Sequence, residues 1–129
     1  MGAFDALRIA GTGLNSHQTW LDSLSHNIAN ANTVRSTDDD AFQAQMVVMG
    51  AQDAGGVAVT GTALSDAEGV LVHDPGHPLA DAEGYVRAPA MDMASQMSQL
   101  IIAQRGFQAS SQVVSFAQDA YTTAIGIGR

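Results

Sequence analysis

The chain has 129 residues, no cysteine, and five basic residues, all arginine, against 13 acidic ones, a formal charge of −8 at pH 7. That length suits one ordinary domain. The missing thiols exclude disulfides, thiol catalysis and cysteine-based zinc sites, and the acid excess argues against nucleic-acid binding, which needs clustered positive charge to displace counterions.

The acid is unevenly placed. Residues 1–32 carry Asp5, Asp22 and Arg8, and residues 91–129 carry Asp92, Asp119, Arg105 and Arg129; the middle holds the other nine acids with only Arg35 and Arg87. Near-neutral ends suit packing against something, and an acidic middle suits water. No run of about 18 apolar residues offers a membrane span. The opening MGAFDALRIAG lacks the basic region and apolar core of a signal peptide, and Ala6 breaks the myristoylation pattern.

The first predicted element is an N-terminal helix. Leu7, Leu14, Leu21 and Ile28 recur every seven residues, and Ala10, His17, Leu24 and Ala31 sit three further on. This is a heptad seam with large residues on one row and mostly small ones on the other. Gly11 and Gly13 weaken it, each by about 1 kcal/mol relative to alanine. The helix runs out in SLSHNIANANT, residues 23–33, which holds Asn27, Asn30 and Asn32. Asparagine competes for nearby backbone groups and tolerates the left-handed conformation that ends helices. Two readings stand side by side: Asn27 and Asn30, on nearly one face, fix register between packed helices as a buried asparagine does in coiled coils, or they cap a fraying end.

The middle changes grammar. FQAQMVVM (42–49), GVAVTGTAL (56–64), GVLVH (69–73) and GYVRA (84–88) are short, valine-rich and bounded by Gly, Asp or Pro, which predicts strands. STDDDA reads as a turn and DPGHPLADAEG, 74–84, as a long loop. The last predicted element is a helix over about 92–125, on the order of 50 Å long. Met93, Leu100, Phe107, Val114 and Tyr121 are seven apart, with Gln96, Ala103, Ser110, Ala117 and Ala124 on the adjacent row. Pro89 precedes it, and Gly126 and Gly128 follow as stop signals. The expected fold class is α+β: two long terminal helices pairing as an antiparallel coiled-coil-like hairpin around a small β-rich insert, divided 1–32, 33–90 and 91–129.

Two paired rods enclose no thick core. Phe4, Ile9, Trp20, Met97, Ile101, Ile102, Val113 and Phe116 fall outside the seam. Fully covering each is worth roughly 1.5–3 kcal/mol, which favours many copies packed side by side.

Chemistry is sparse. His73 and His77 with Asp74 and Asp81 suggest a metal site, but Pro75 and Gly76 argue against the helix that would set both histidines on one face. Asp38-Asp39-Asp40 lacks the spaced ligands of a calcium loop. No nucleophile, base and orienting group assemble, and no cofactor is expected. Arg105 either pairs with an acid of a neighbouring subunit or helix carbonyls, or covers its own helix with its stem.

Several motifs resemble those of the bacterial flagellar axial proteins, the rod, hook and hook-associated subunits. HNIANANT, 26–33, is similar to the pattern NNIANxxT, with Asn27, Asn30, Asn32 and Thr33 in it. AQRGFQAS, 103–110, is similar to AQRAYQAN, matched at Gln104 and Arg105 and departing at Gly106, Phe107 and Ser110. VHDPGHPLADAEGYVRAPAMD, 72–92, resembles the insert of proximal-rod subunits, YDPxHPxADxxGYVxxPNVD, matched at Asp74, Pro75, His77, Pro78, Gly84 and Tyr85. The resemblance implies a non-enzymatic structural subunit of the basal-body rod in the periplasmic space, carrying torque from motor to hook. Its implied partners are other flagellar rod proteins, copies of itself and the flagellar type III export apparatus, which it leaves unfolded and without a cleaved signal peptide. A small soluble metal-binding or enzymatic domain centred on residues 72–84 is the alternative.

Overall fold

The structure is a computed structural model that describes residues 3–127. Its elements in chain order are α1 (Ala3–Ala29), β1 (Gln45–Ala51), β2 (Val57–Leu64), β3 (Val70–His73), β4 (Tyr85–Ala88) and α2 (Met93–Ile127). The two long terminal helices pack together with a small antiparallel β insert between them, an α+β fold.

The helix ends have local causes. α1 tightens to three-residue bonding as it ends: the Asn30 N–H is shared between the carbonyls of His26 (3.2 Å) and Asn27 (3.1 Å), the Ala31 N–H turns to the Ile28 carbonyl (3.3 Å), and the Asn30 side chain donates to the His26 carbonyl. Asp92 caps α2, its carboxylate accepting the N–H groups of Ala94 and Ser95 at 3.3 and 2.9 Å. Gly126 does not end α2 as its sequence position suggests. It keeps a negative φ, and a glycine terminates a helix only when it turns left-handed. Gly128 lies outside the described residues.

The chain forms two compact units, one drawn from Met1–Leu21, Val47–Gly61 and Ile101–Arg129, the other from Asp22–Met46 and Thr62–Leu100. In the first, the helices run antiparallel. Phe4 meets Tyr121 edge-to-face at 5.3 Å, Gly13 lies by Ser110, and His17 lies by Gly106. Small residues make the buried centre: Ala10, Gly13 and Ser16 from α1 and Ala103 from α2. The tip of the β1–β2 hairpin is tied to α1. Arg8 donates to the carbonyls of Ala54 and Gly55, the Val57 N–H donates to Thr12 Oγ1 (3.1 Å), and Ser16 reaches the Val57 carbonyl (3.4 Å).

The second unit holds the largest fully buried side chains, Leu24, Val86 and Asn27. β3 and β4 pair antiparallel, with Val70 opposite Ala88, Leu71 opposite Arg87, Val72 opposite Val86 and His73 opposite Tyr85. The far edge of β4 exchanges two backbone bonds with Arg35, at 2.8 and 2.9 Å. The Arg87 guanidinium holds the preceding segments, donating to the carbonyls of Glu68 and Thr37, each at 2.7 Å.

Candidate functional site

The two rows of large heptad residues occupy the margins of the helix pair. Leu7, Leu14, Leu21 and Ile28 are half-buried, as are Met93, Leu100, Phe107 and Val114, and Tyr121 is exposed. In the adjacent rows Ala10, Leu24, Gln96 and Ala103 are buried, while His17, Ala31, Ser110 and Ala117 are half-buried and Ala124 is exposed. In the first unit the helices approach closely enough that a methyl group at Gly106 would overlap the His17 ring, whose Nδ1–H donates to the Gly13 carbonyl at 2.7 Å. Close approach of small residues gives a narrow seam, and a narrow seam leaves long side chains at its flanks.

In the second unit Asn27 is fully buried and joins three elements. Its Nδ2 donates to the Gln45 carbonyl (2.9 Å) and to Gln96 Oε1 (3.0 Å), and its Oδ1 accepts the Gln45 N–H (2.8 Å). The carboxamide thus stands in for a neighbouring strand's peptide group at the start of β1 while also gripping α2. Ser23 adds a second donor to the same carbonyl at 3.1 Å. Leu24 packs beside them, 2% exposed. Asn30 instead closes the helix end, accepting the Thr33 hydroxyl at 3.3 Å, and Asn32 is exposed. The two asparagines three residues apart therefore divide the roles of register and cap.

The 74–84 loop is a series of tight turns. The Asp74 N–H donates to the Gly84 carbonyl and the His77 N–H to the Asp74 carbonyl, while His77 Nδ1 accepts the Leu79 N–H at 3.1 Å. Gly84 is buried at φ +83°, with Pro75 close against its Cα, so a side chain there would be strained by both backbone and space. Pro78 is exposed, and Tyr85 stacks edge-on against His73 at 5.0 Å. Asp81 is the organiser: its carboxylate accepts the N–H groups of Tyr85 (2.8 Å) and Glu83 (3.1 Å). The Tyr85 N–H is the main reason its carboxyl sits below the usual carboxylate range. His73 and His77 are thus engaged separately, and among the described residues no three histidine or acid side chains gather as metal ligands do. Asp81 and Arg87 went unnoticed as organisers in the sequence, because the backbone carbonyls and N–H groups they bind leave no mark in residue type.

Gln104 and Arg105 lie on the exposed surface of α2. Beside Arg105 runs a second row at seven-residue spacing, Ile102, Ala109 and Phe116, flanked by Val113, Ala120 and Ile127. Ile102 is 58% exposed and Phe116 69%. Next to this row, within the first unit, is an open groove of about 570 Å³ whose walls include Ile9, Val57 and Val113 over a floor of Ala10, Gly13 and Ala109. The three segments of the first unit contain Asp5, Asp53 and Asp119 against Arg8, Arg105 and Arg129, a balanced set, whereas the other two segments carry the whole excess of negative charge.

Comparison with known proteins adds an independent line. The family described as "Flagella basal body rod protein" matches residues 7–35, and "Flagellar basal body rod FlgEFG protein C-terminal" matches residues 82–127. The flagellar basal-body rod protein FlgC of Salmonella typhimurium is 32% identical, and that of Yersinia enterocolitica 33%, each alignment covering 100% of both chains. The FlgC of Agrobacterium fabrum is 34% identical over 95% of this chain and 92% of its own.

Proposed function

We propose a function from one premise: this chain belongs to the FlgC family of flagellar basal-body rod proteins. It is a structural flagellar rod protein and not an enzyme. From there the reading goes further. The subunit polymerises through its terminal helices with copies of itself and with other rod proteins, and transmits torque from motor to hook across the periplasmic space. It reaches that place unfolded, through the flagellar type III export apparatus, without cleavage.

One observation supports the assembly step above the others. Ile102 and Phe116 stand 58% and 69% exposed on one row of α2, in a part of the chain whose charges balance. Leaving such a row in water forgoes roughly 1.5–3 kcal/mol per side chain that a neighbouring helix would recover. No described helix is long and apolar enough to cross a membrane. The groove beside Val113 accepts a large side chain, and the small residues of its floor let a neighbouring helix come close.

The test is the double substitution Ile102→Glu with Phe116→Glu. Both sites are exposed, so the free chain should unfold within about 0.5 kcal/mol of the parent, while rod assembly and swimming are lost. Normal swimming by that variant would refute assembly through this face.

A further inference from the structure

We propose that the tip of the β1–β2 hairpin is a strap on α1, closed in this structure and able to open while the helix pair beneath it stays folded. Strap and rod assembly are separable: the strap is tested on the free chain, so either reading can fail without the other.

The tip is complete in itself. Between β1 and β2 the Gln52 N–H donates to the Gly56 carbonyl (3.1 Å) and the Gly55 N–H to the Gln52 carbonyl (2.8 Å). It is tied to one row of α1, Arg8, Thr12 and Ser16, which stand four residues apart and so share a face. Val57 spends its N–H on Thr12 and its C=O on Ser16, while the Thr12 hydroxyl donates its own proton to the Ile9 carbonyl at 2.7 Å. Gly56, at φ +100°, lies so close to Thr12 that a side chain there would overlap the hydroxyl. Gly55 meets the Ile9 side chain in the same way, at φ +83°. Two left-handed glycines thus let the tip lie flat on the helix.

The bonds that close the strap are also ones that can be released locally. α1 contributes side chains alone, since its backbone groups bond within the helix. The tip contributes the carbonyls of Ala54 and Gly55 and the two peptide groups of Val57. Arg8 and Ala51–Ala54 are exposed, and Gly55, Gly56 and Val57 are half-buried, so little apolar surface is given up on opening. The tip's groups and Arg8 then pass to water, and the Ser16 hydroxyl can turn to the carbonyl one turn back in its own helix. A segment that opens without leaving buried polar groups unpaired belongs to the low-stability end of a structure. Gly56 and Val57 also form one side of the groove in this unit. Opening leaves Ile9, Ala10 and Gly13 facing Ala109 and Val113 with that side uncovered, so the strap sets the groove's width.

The experiment is native-state amide exchange on the full chain, isotopically labelled. The Val57 amide should exchange about tenfold faster than those of Gly13 and Ser16 in α1. Its rate should hold within about twofold from water to about 1 M urea, because opening the strap exposes little surface, while the α1 amides speed up. Arg8→Gln should raise the Val57 rate by about tenfold and leave Gly13 and Ser16 unchanged. Gly56→Ala should do the same from the tip's side and remove the nuclear Overhauser contact between the Ile9 methyl and Gly55. Val57 exchanging in step with Gly13 and Ser16, with the same urea dependence, overturns the proposal, since tip and helix then open as one body. An unchanged Val57 rate in Arg8→Gln overturns it too, as does a substitution that releases all three amides together.

Discussion

The imidazole of His17 occupies the space that a side chain at Gly106 would need. The ring is held by its own helix, through the bond from Nδ1–H to the Gly13 carbonyl, so it cannot swing aside without losing that bond. The glycine is therefore the counterpart of the histidine, and the departure of AQRGFQAS from the alanine of the family pattern is a matched pair in the seam.

A double-mutant cycle follows. Gly106→Ala gains about 1 kcal/mol of helix propensity but overpacks the seam at a cost of roughly 1–3 kcal/mol. The net effect should be destabilising. With His17→Ala in place the same change should stabilise by about 1 kcal/mol, giving a coupling near 2 kcal/mol in urea unfolding. Additive effects would mean that the two residues do not share the space.

Asn27 carries the most polar work per side chain. Asn27→Ala leaves the Gln45 N–H and Gln96 Oε1 without their partner, and a buried unsatisfied group costs about 1–3 kcal/mol. A loss of roughly 3 kcal/mol in unfolding is expected. Asn27→Asp should be no better at neutral pH, because a carboxylate has no donor for the Gln45 carbonyl. Ala substitution at Asn30, on the exposed helix end, should cost less than about 1 kcal/mol by the same measurement.

Asp81 gives the 74–84 loop a pH dependence of defined sign. Its carboxyl is held below the usual range chiefly by the Tyr85 N–H, so the ionised form is favoured in the folded loop. The contribution is present above the pH where an unfolded aspartate ionises and disappears as pH falls through the lowered folded value. Carboxyl carbon resonances should show Asp81 titrating below the usual aspartate range. Asp81→Asn, which keeps an acceptor oxygen, should retain the turn and lose its acid sensitivity; Asp81→Ala should loosen the Tyr85 N–H at every pH.

Seven-residue spacing made both helices legible, because a stripe that must stay on one side of a rod repeats at that interval. The same spacing does not say which of two adjacent rows lies deeper. Leu14 and Phe107 carry more apolar surface than Ala10 and Ala103, yet the alanines are buried and the larger pair half-buried, since helices that touch through small residues leave no room for large ones between them. The strands were visible as valine-rich runs, with β1 starting three residues later than its hydrophobic run because the Ala44 N–H is taken by Ser65 Oγ at 2.7 Å. The division of labour between Asn27 and Asn30 depends on Gln45 and Gln96, 18 and 69 residues away from Asn27, and no local pattern encodes it.

Residues 118–127 of α2 are exposed without exception. A helix end clothed only by water frays from its tip, turn after turn, on a timescale far shorter than global opening. Those last turns can hold their shape for long only while something lies along them. Their deuterium uptake is consequently a built-in gauge of company: rapid in a solitary molecule, and slow in one whose neighbours have arrived.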